Sequence, residues 1–181
     1  PDRTDAILCR NTRPLVELAL DYIRRRVPAH VEGRDIGASL LTLVRKWKSP
    51  KTIDAFLERL DQYQAEESAK LVERRLEHKI DGLRDRVGSI FAIASTLHDD
   101  DPLSALERAI GTLFQDTEGK PVQSITLSTV HKAKGREWDR VYLYGRDKYM
   151  PSKYARQEWQ LVQENNLIYV AITRAKRELV E

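Results

Sequence analysis

Ile125-Thr126-Leu127-Ser128-Thr129-Val130-His131-Lys132-Ala133-Lys134-Gly135-Arg136-Glu137-Trp138-Asp139-Arg140-Val141-Tyr142-Leu143-Tyr144 holds two strand signatures around a polar, glycine-punctuated loop. Ile125, Leu127 and Thr129 alternate with Ser124, Thr126 and Ser128, the period of a strand with one buried face. Val141-Tyr142-Leu143-Tyr144 forms the second strand. The loop between them puts hydroxyl, imidazole and ammonium groups directly after a buried strand. In an open α/β sheet, ligands bind beside the loops at the carboxyl ends of strands. A hydroxyl, backbone N–H groups and the two lysines, Lys132 and Lys134, there suit the phosphate oxygens of a nucleotide or of a nucleic-acid strand. Composition alone also allows a solvated turn in which Gly135 stops a helix.

Working outward, the spacing predicts a helix from about Gln157 to Thr173, burying Trp159, Val162, Leu167, Val170 and Ala171, with Glu178-Leu179-Val180 starting another strand. Arg174 falls at the end of that helix, where a cation is favoured by the dipole in any case. At the other end of the chain, Ala6-Ile7-Leu8-Cys9 reads as a short buried strand. Asn11, Thr12 and Pro14 then open a helix that Pro28 stops. His30-Val31-Glu32 is extended, and a second helix near Asp35 buries Ile36, Leu40, Leu43 and Val44. Strands alternating with helices predict an α/β core with parallel pairing.

From Ser49-Pro50 the texture changes. Ile53, Phe56, Leu57, Leu60 and Tyr63 make one apolar stripe; Val72, Leu76, Ile80, Leu83, Val87 and Ile90 continue at steps of three and four. Long amphipathic helices packed as a hairpin or small bundle follow. A further short helix opens at Asp101-Pro102. Residues 50–118 are thus expected to be an all-helical insert, closed by turn signals at Asp116–Pro121. Its basic residues (Arg74, Arg75, His78, Lys79, Arg84, Arg86) alternate with Glu73, Glu77, Asp81 and Asp85. That pattern describes a solvated helix face better than a DNA or partner surface.

The chain has 181 residues, 41% hydrophobic and 33% charged, with 31 basic against 28 acidic side chains. No apolar run approaches the roughly 20 residues of a membrane-spanning helix. The single cysteine, Cys9, excludes a disulfide framework and a cysteine-based zinc site, and fits a reducing, cytoplasmic setting. Cys9, Trp47, Trp138 and Trp159 are expected to be packing residues. A first residue Pro1 and a last residue Glu181 inside an apolar run read as a piece of something longer. There is no G-x-x-x-x-G-K-[ST], no strand-borne carboxylate pair for Mg²⁺, no HExxH and no Ser-His-Asp set.

Residues 125–139 closely resemble motif V of superfamily 1 DNA helicases of the UvrD/Rep type. Glu164-Asn165-Asn166-Leu167-Ile168-Tyr169-Val170-Ala171-Ile172-Thr173-Arg174-Ala175-Lys176 resembles their motif VI. Tyr149-Met150-Pro151-Ser152 is similar to the turn between those motifs, and Ala6-Ile7-Leu8-Cys9-Arg10-Asn11 to motif IV. Val31-Glu32-Gly33 sits where the family has its next glycine-bearing segment. The resemblance spans residues 5–48 and 122–181.

What it implies is a RecA-like second motor domain, called 2A, formed by residues 1–49 and 119–181. In such helicases ATP with Mg²⁺ binds between two RecA-like domains, and the phosphate loop, metal ligands and catalytic glutamate belong to the first. By position, Arg10 matches the motif IV arginine and Arg174 the motif VI arginine, both implied near the γ-phosphate. Glu137 matches the motif V glutamate that faces the ribose, while Thr129 and His131 match positions facing single-stranded DNA. Lys134 shares their loop. Partners implied are single-stranded DNA and the preceding motor domain, with a protein partner possible at the insert. The chain departs from the family in Gln163-Glu164, where two acidic residues are usual. It departs also in Asn165-Asn166, where a basic residue is usual, and in an insert much shorter than the family's 2B domain. A non-catalytic homologue that binds nucleic acid or protein carries the same motifs, and so does a helicase–nuclease fusion. For the chain alone, the resemblance implies no ATP hydrolysis and weak, salt-sensitive DNA binding.

Overall fold

The computed structural model describes residues 1–47, 49–114 and 124–181. Five parallel strands form one sheet: β1 (Ala6–Cys9), β2 (Ala29–Val31), β3 (Ile125–Thr129), β4 (Trp138–Leu143) and β5 (Ala175–Val180), in the order β2-β3-β1-β4-β5. β1 is the central strand and is buried along its whole length. It pairs on one side through Ala6↔Thr126 to Cys9↔Thr129 and on the other through Ala6↔Val141 to Leu8↔Leu143. A strand covered on both faces reads as a continuous apolar run, which is how Ala6-Ile7-Leu8-Cys9 stands in the sequence.

Alternation along β1 sends its side chains into two cores. Ile7 and Cys9 join Ile125, Leu127 and Val31 under α1 (Thr12–Arg24) and α2 (Arg34–Val44). Ala6 and Leu8 join Val141 and Leu143 beneath Val130, Ala133, Met150 and the buried side, Leu167 and Ala171, of α7 (Glu158–Ile172). Each fully buried Leu or Ile contributes about 1.5–3 kcal/mol by leaving water. Burial holds the Cys9 thiol up at about 11, so it is a packing residue, not a nucleophile.

The helical stretch is α3 (Ile53–Glu73), a 3₁₀ turn at Glu77–Lys79, α4 (Ile80–Ala94) and α5 (Leu103–Leu113). Its expected stripes are buried at Ile53, Phe56, Leu60, Ile80, Leu83, Val87 and Ile90, whereas Val72 lies exposed near the end of α3. These helices have no separate core. Phe56, Leu60, Val87, Ile90 and Ile110 pack in the same cluster as Ile7, Leu15 and Leu127. The Asp116–Pro121 turn signals lie outside the described residues, as do the insert's end at 118 and the return at 119.

Two expected anchors differ. Trp159 is 54% exposed and Val162 52% exposed, because α7 turns Gln160, Glu164, Leu167 and Ala171 inward instead. Trp47 is half-buried against Phe56 and Tyr63, at ring-centroid distances of 6.0 and 5.3 Å. Among the described residues, no helix is long and apolar enough to cross a membrane.

One shared core predicts one unfolding event. Phe56→Ala, a change within the insert, is expected to lower stability by about 3–5 kcal/mol. Chemical denaturation should show a single transition, with tryptophan fluorescence and far-ultraviolet circular dichroism moving together; a separate early transition for the helices would contradict this.

Candidate nucleotide and nucleic-acid interface

β3 and β1 are neighbours, yet their outgoing connections leave on opposite faces. After β1 the chain enters α1, which covers the Ile7–Cys9 face; after β3 it passes through Val130 and Ala133 on the Ala6–Leu8 face. Divergence of this kind opens a crevice at the carboxyl ends of the two strands. A cavity of about 590 Å³ lies there, lined by Arg10, Asn11, Thr129, His131 and Lys132 together with Asp81 and Asp85 from α4.

Arg10 follows the last residue of β1, and each of its guanidinium nitrogens already donates to a protein oxygen. Nε and Nη2 fork onto the Glu164 carboxylate at 2.8 Å each, while Nη1 donates to Asp81 Oδ2 at 2.6 Å and Asn11 Oδ1 at 3.0 Å. Ser152 completes the cluster, its backbone N–H donating to Glu164 Oε2 at 2.8 Å and its hydroxyl to Asp81 Oδ2 at 3.0 Å. Side-chain exposures of 17, 18 and 11% for Arg10, Asp81 and Glu164 make this a largely enclosed ion-pair cluster. Burial opposes ionisation of Glu164, but the Arg10 fork and the Ser152 N–H outweigh it and hold the carboxyl below the usual range. One turn further along α4, Asp85 accepts the Thr12 and Arg13 backbone N–H groups at 2.8 Å each, capping α1 from outside. Desolvation pushes the Asp85 carboxyl up despite those bonds.

The segment after β3 is folded tightly. Thr129 accepts from the Ala133 N–H at its carbonyl and from the Lys132 N–H at its hydroxyl, 2.9 and 3.4 Å, and is buried. Lys132 pairs with Asp35 at 2.7 Å, and Arg136 with Glu32. His131 and Lys134 remain exposed. Desolvation of its ring, followed by the nearby Arg10 charge, lowers the His131 pKa, so the imidazole is neutral at pH 7. His131 and Lys134 also line a second cavity of about 360 Å³ between this segment and α7, bordered by Glu164, Asn166 and Val170.

Arg174 lies at the opposite end of the sheet, between α7 and β5. Its Nε donates to the Val170 carbonyl at 3.0 Å, Nη1 to the Arg136 carbonyl at 2.9 Å and Nη2 to the Thr173 hydroxyl at 2.9 Å. Among the described residues no carboxylate pairs with it, so its charge is held in place but not neutralised. Glu137 is drawn to the same point and is exposed there. The residue before it lends Arg174 a carbonyl, and the Trp138 N–H after it donates to the Arg174 carbonyl at 3.0 Å.

The structure therefore brings Arg174 to Glu137, and Arg10 to Thr129 and His131, but not Arg10 to Arg174. Glu164, which holds Arg10, and Val170, which holds Arg174, are about 9 Å apart along α7. The expected convergence of both arginines on one phosphoryl group does not occur in this arrangement, because Arg10 is committed to two carboxylates.

Sequence reading missed Asp81, Asp85 and Ser152. Asp81 and Asp85 were read with the charged, solvated face of their helix, whereas the structure turns them towards β1 and α1. A signal was present. Asp81, Asp85, Gly88, Ser89 and Ala92 share one side of α4, and small residues there let another helix approach; Arg13 Cδ lies where a Gly88 Cβ would stand.

A five-stranded parallel sheet with flanking helices, its strand-end crevice bordered by a basic loop, is the architecture of a RecA-like α/β domain. The chain belongs to the UvrD-like helicase C-terminal domain family, whose profile matches residues 42–180. It is 33% identical over 107 residues to the ATP-dependent DNA helicase UvrD2 of Mycobacterium tuberculosis, covering 53% of this chain and 15% of that one. F-box DNA helicase protein 1 of Schizosaccharomyces pombe is 34% identical over 95 residues, 50% of this chain and 11% of its own length. A probable DNA helicase II homolog of Mycoplasma genitalium is 45% identical over 60 residues, 31% and 8% respectively. The chain thus matches only a small part of the length of these relatives.

Glu164→Gln removes the charge that Arg10 grips while keeping one acceptor. At pH 7 it is expected to cost about 1–3 kcal/mol. Because the Glu164 carboxyl is depressed, its contribution is present above the ordinary glutamate value of 4.5 and fades as pH falls through the folded-state value. Denaturant titrations at neutral and acidic pH should therefore show the wild-type advantage shrinking on acidification; a gap independent of pH would contradict the assignment.

Proposed function

We propose that this chain is the second motor domain of an ATP-dependent DNA helicase or translocase. Its role would be to supply Arg174 and Glu137 to an ATP site shared with a preceding domain, and the loop after β3 to single-stranded DNA. The observation that carries this reading is the state of Arg174: three backbone or hydroxyl oxygens orient its guanidinium, and among the described residues no acid neutralises it. A planar cation held this way can meet phosphate oxygens and offset the charge that spreads over them during transfer. Glu137, exposed beside it, suits a ribose hydroxyl. The Mg²⁺ that accompanies ATP is assigned to the preceding domain, as is the phosphate loop.

At the other end of the sheet, His131 and Lys134 are exposed in the loop and, among the described residues, take no acid partner of the kind that Lys132 and Arg136 have. A neutral imidazole offers a hydrogen bond to a phosphate oxygen, while Lys134 offers charge. Thr129, with its hydroxyl turned into the loop, shapes the loop that presents them. The outer side of α7 fits the partner domain. Trp159, Val162 and Tyr169 share one face of the helix and are 54, 52 and 69% exposed.

In the full-length protein, Arg174→Ala is expected to lower DNA-stimulated ATP turnover by about 10³-fold or more, with single-stranded DNA affinity little changed. Turnover near wild type would refute the role given to Arg174, whereas a wild-type protein without ATP turnover would favour a non-catalytic binding module instead. Lys134→Ala should weaken DNA binding and reduce the slope of log affinity against log salt by about 0.7. His131→Ala should weaken binding at pH 7 without altering that slope; fluorescence anisotropy over a salt series separates the two.

A further inference from the structure

Besides sharing the core, the helical insert brings two carboxylates to the crevice of the motor. Asp81 and Asp85, one turn apart on α4, face the start of the α1 segment: Asp85 holds the Thr12 and Arg13 N–H groups, and Asp81 holds Arg10 and Ser152. Arg10 in turn forks onto Glu164 of α7. Three parts of the chain that are distant in sequence (the end of β1, the insert, and α7 with the turn before it) therefore meet on one guanidinium. Beside it stand Thr129 and His131, at the crevice and away from the Arg174 end.

We propose that Asp81 is a positioning residue that makes the insert part of the DNA-facing apparatus. Its carboxylate fixes the Arg10 guanidinium against Glu164, and so sets the loop carrying His131 and Lys134 against α7. The inference rests on the motor reading above but concerns a residue outside the resembling motifs. It also gives Arg10 a role other than touching nucleotide. With Asp81 removed, Arg10 keeps its fork to Glu164 but loses its tie to the insert, and Ser152 loses the acceptor of its hydroxyl. The disturbance falls at the crevice end of α7, leaving the carbonyls that hold Arg174 in place.

The test uses the full-length protein and measures ATP turnover with and without single-stranded oligonucleotide. Asp81→Ala is expected to raise the oligonucleotide concentration for half-maximal stimulation by about tenfold, as small misplacements of a contacting loop do. The KM for ATP and the DNA-free turnover should stay within about twofold. A general loss of structure would move those two quantities as well, which separates positioning from simple destabilisation. Asp81→Asn keeps the shape and one acceptor and should fall between wild type and Asp81→Ala; where the alanine variant does not fold, the asparagine variant decides. Asp81→Ala combined with Arg10→Ala should be no worse than Arg10→Ala alone, because both remove the same tie. A wild-type response to DNA in the Asp81 variants, or single effects that multiply in the double variant, overturns the inference while leaving the motor reading intact. A wild-type protein whose ATP turnover ignores DNA overturns both.

Discussion

Arg10 brings a full positive charge into a junction with little access to water, and the surrounding structure is arranged to make that tolerable. Moving a guanidinium and a carboxylate out of water costs several kcal/mol each unless their hydrogen-bonding capacity is met. Here the fork onto Glu164 supplies two parallel charged bonds, Asp81 and Asn11 take the remaining nitrogen, and Ser152 fills the open lone pairs of both acids. A half-built version would leave a buried charge unpaired, a penalty larger than the gain from any one bond. The central strand, the insert and α7 must therefore arrive together. Two carboxylates against one guanidinium also leave the cluster acidic, which suits a neighbour such as the α1 N-terminus but not a phosphate.

How much of this was legible in the sequence follows from which interactions are local. Ile125 to Tyr144 announced strand, loop, strand because alternation and glycine are properties of adjacent residues. Parallel pairing followed from the helices between strands. The apolar stripes of α3 and α4 were readable for the same reason, and their buried members are as expected except Val72. What sequence could not give was which neighbour each helix faces. Asp81 and Asp85 look like any acid on a charged helix until α4 lies against α1. Trp159 looks like an anchor until α7 is rotated to bury Glu164 for the sake of Arg10. α7 buries Gln160 and Glu164 beside Leu167 and Ala171, whereas apolar spacing in the sequence picks out only the apolar side chains. The pair Arg10 and Arg174 failed to converge for a related reason: motif order says which residues matter, not which end of a sheet they occupy.

The insert changes meaning in the structure. As sequence it is a separate block of amphipathic helices, and the departure from the family's longer domain suggests an appendage. As structure it closes one face of the sheet, with Phe56 and Ile90 in the same core as Ile7 and Leu127. A helix bundle of about this length is only marginally stable by itself, so sharing the core adds apolar burial that a short insert lacks. Shared packing also means that a force on the helices is felt at β1.

The two ends of the sheet are joined by more than their common strands. Because β3 and β4 both run parallel to β1, residues 130–137 must run the length of the sheet from one end to the other. Val130 and Ala133 are fully buried along that path and anchor its first half to the sheet. At its start are the exposed His131 and Lys134, and at its finish the Arg136 carbonyl that holds Arg174. α7 lies alongside as a second rigid connector, gripping Arg10 through Glu164 and Arg174 through Val170. The loop after β3 and the helix α7 each touch both ends, the contiguous connection that coupling between the proposed nucleotide and DNA sites would require. Such coupling requires connectors that do not shift independently, and Asp81 of α4 bears on the guanidinium that ties α7 to the central strand.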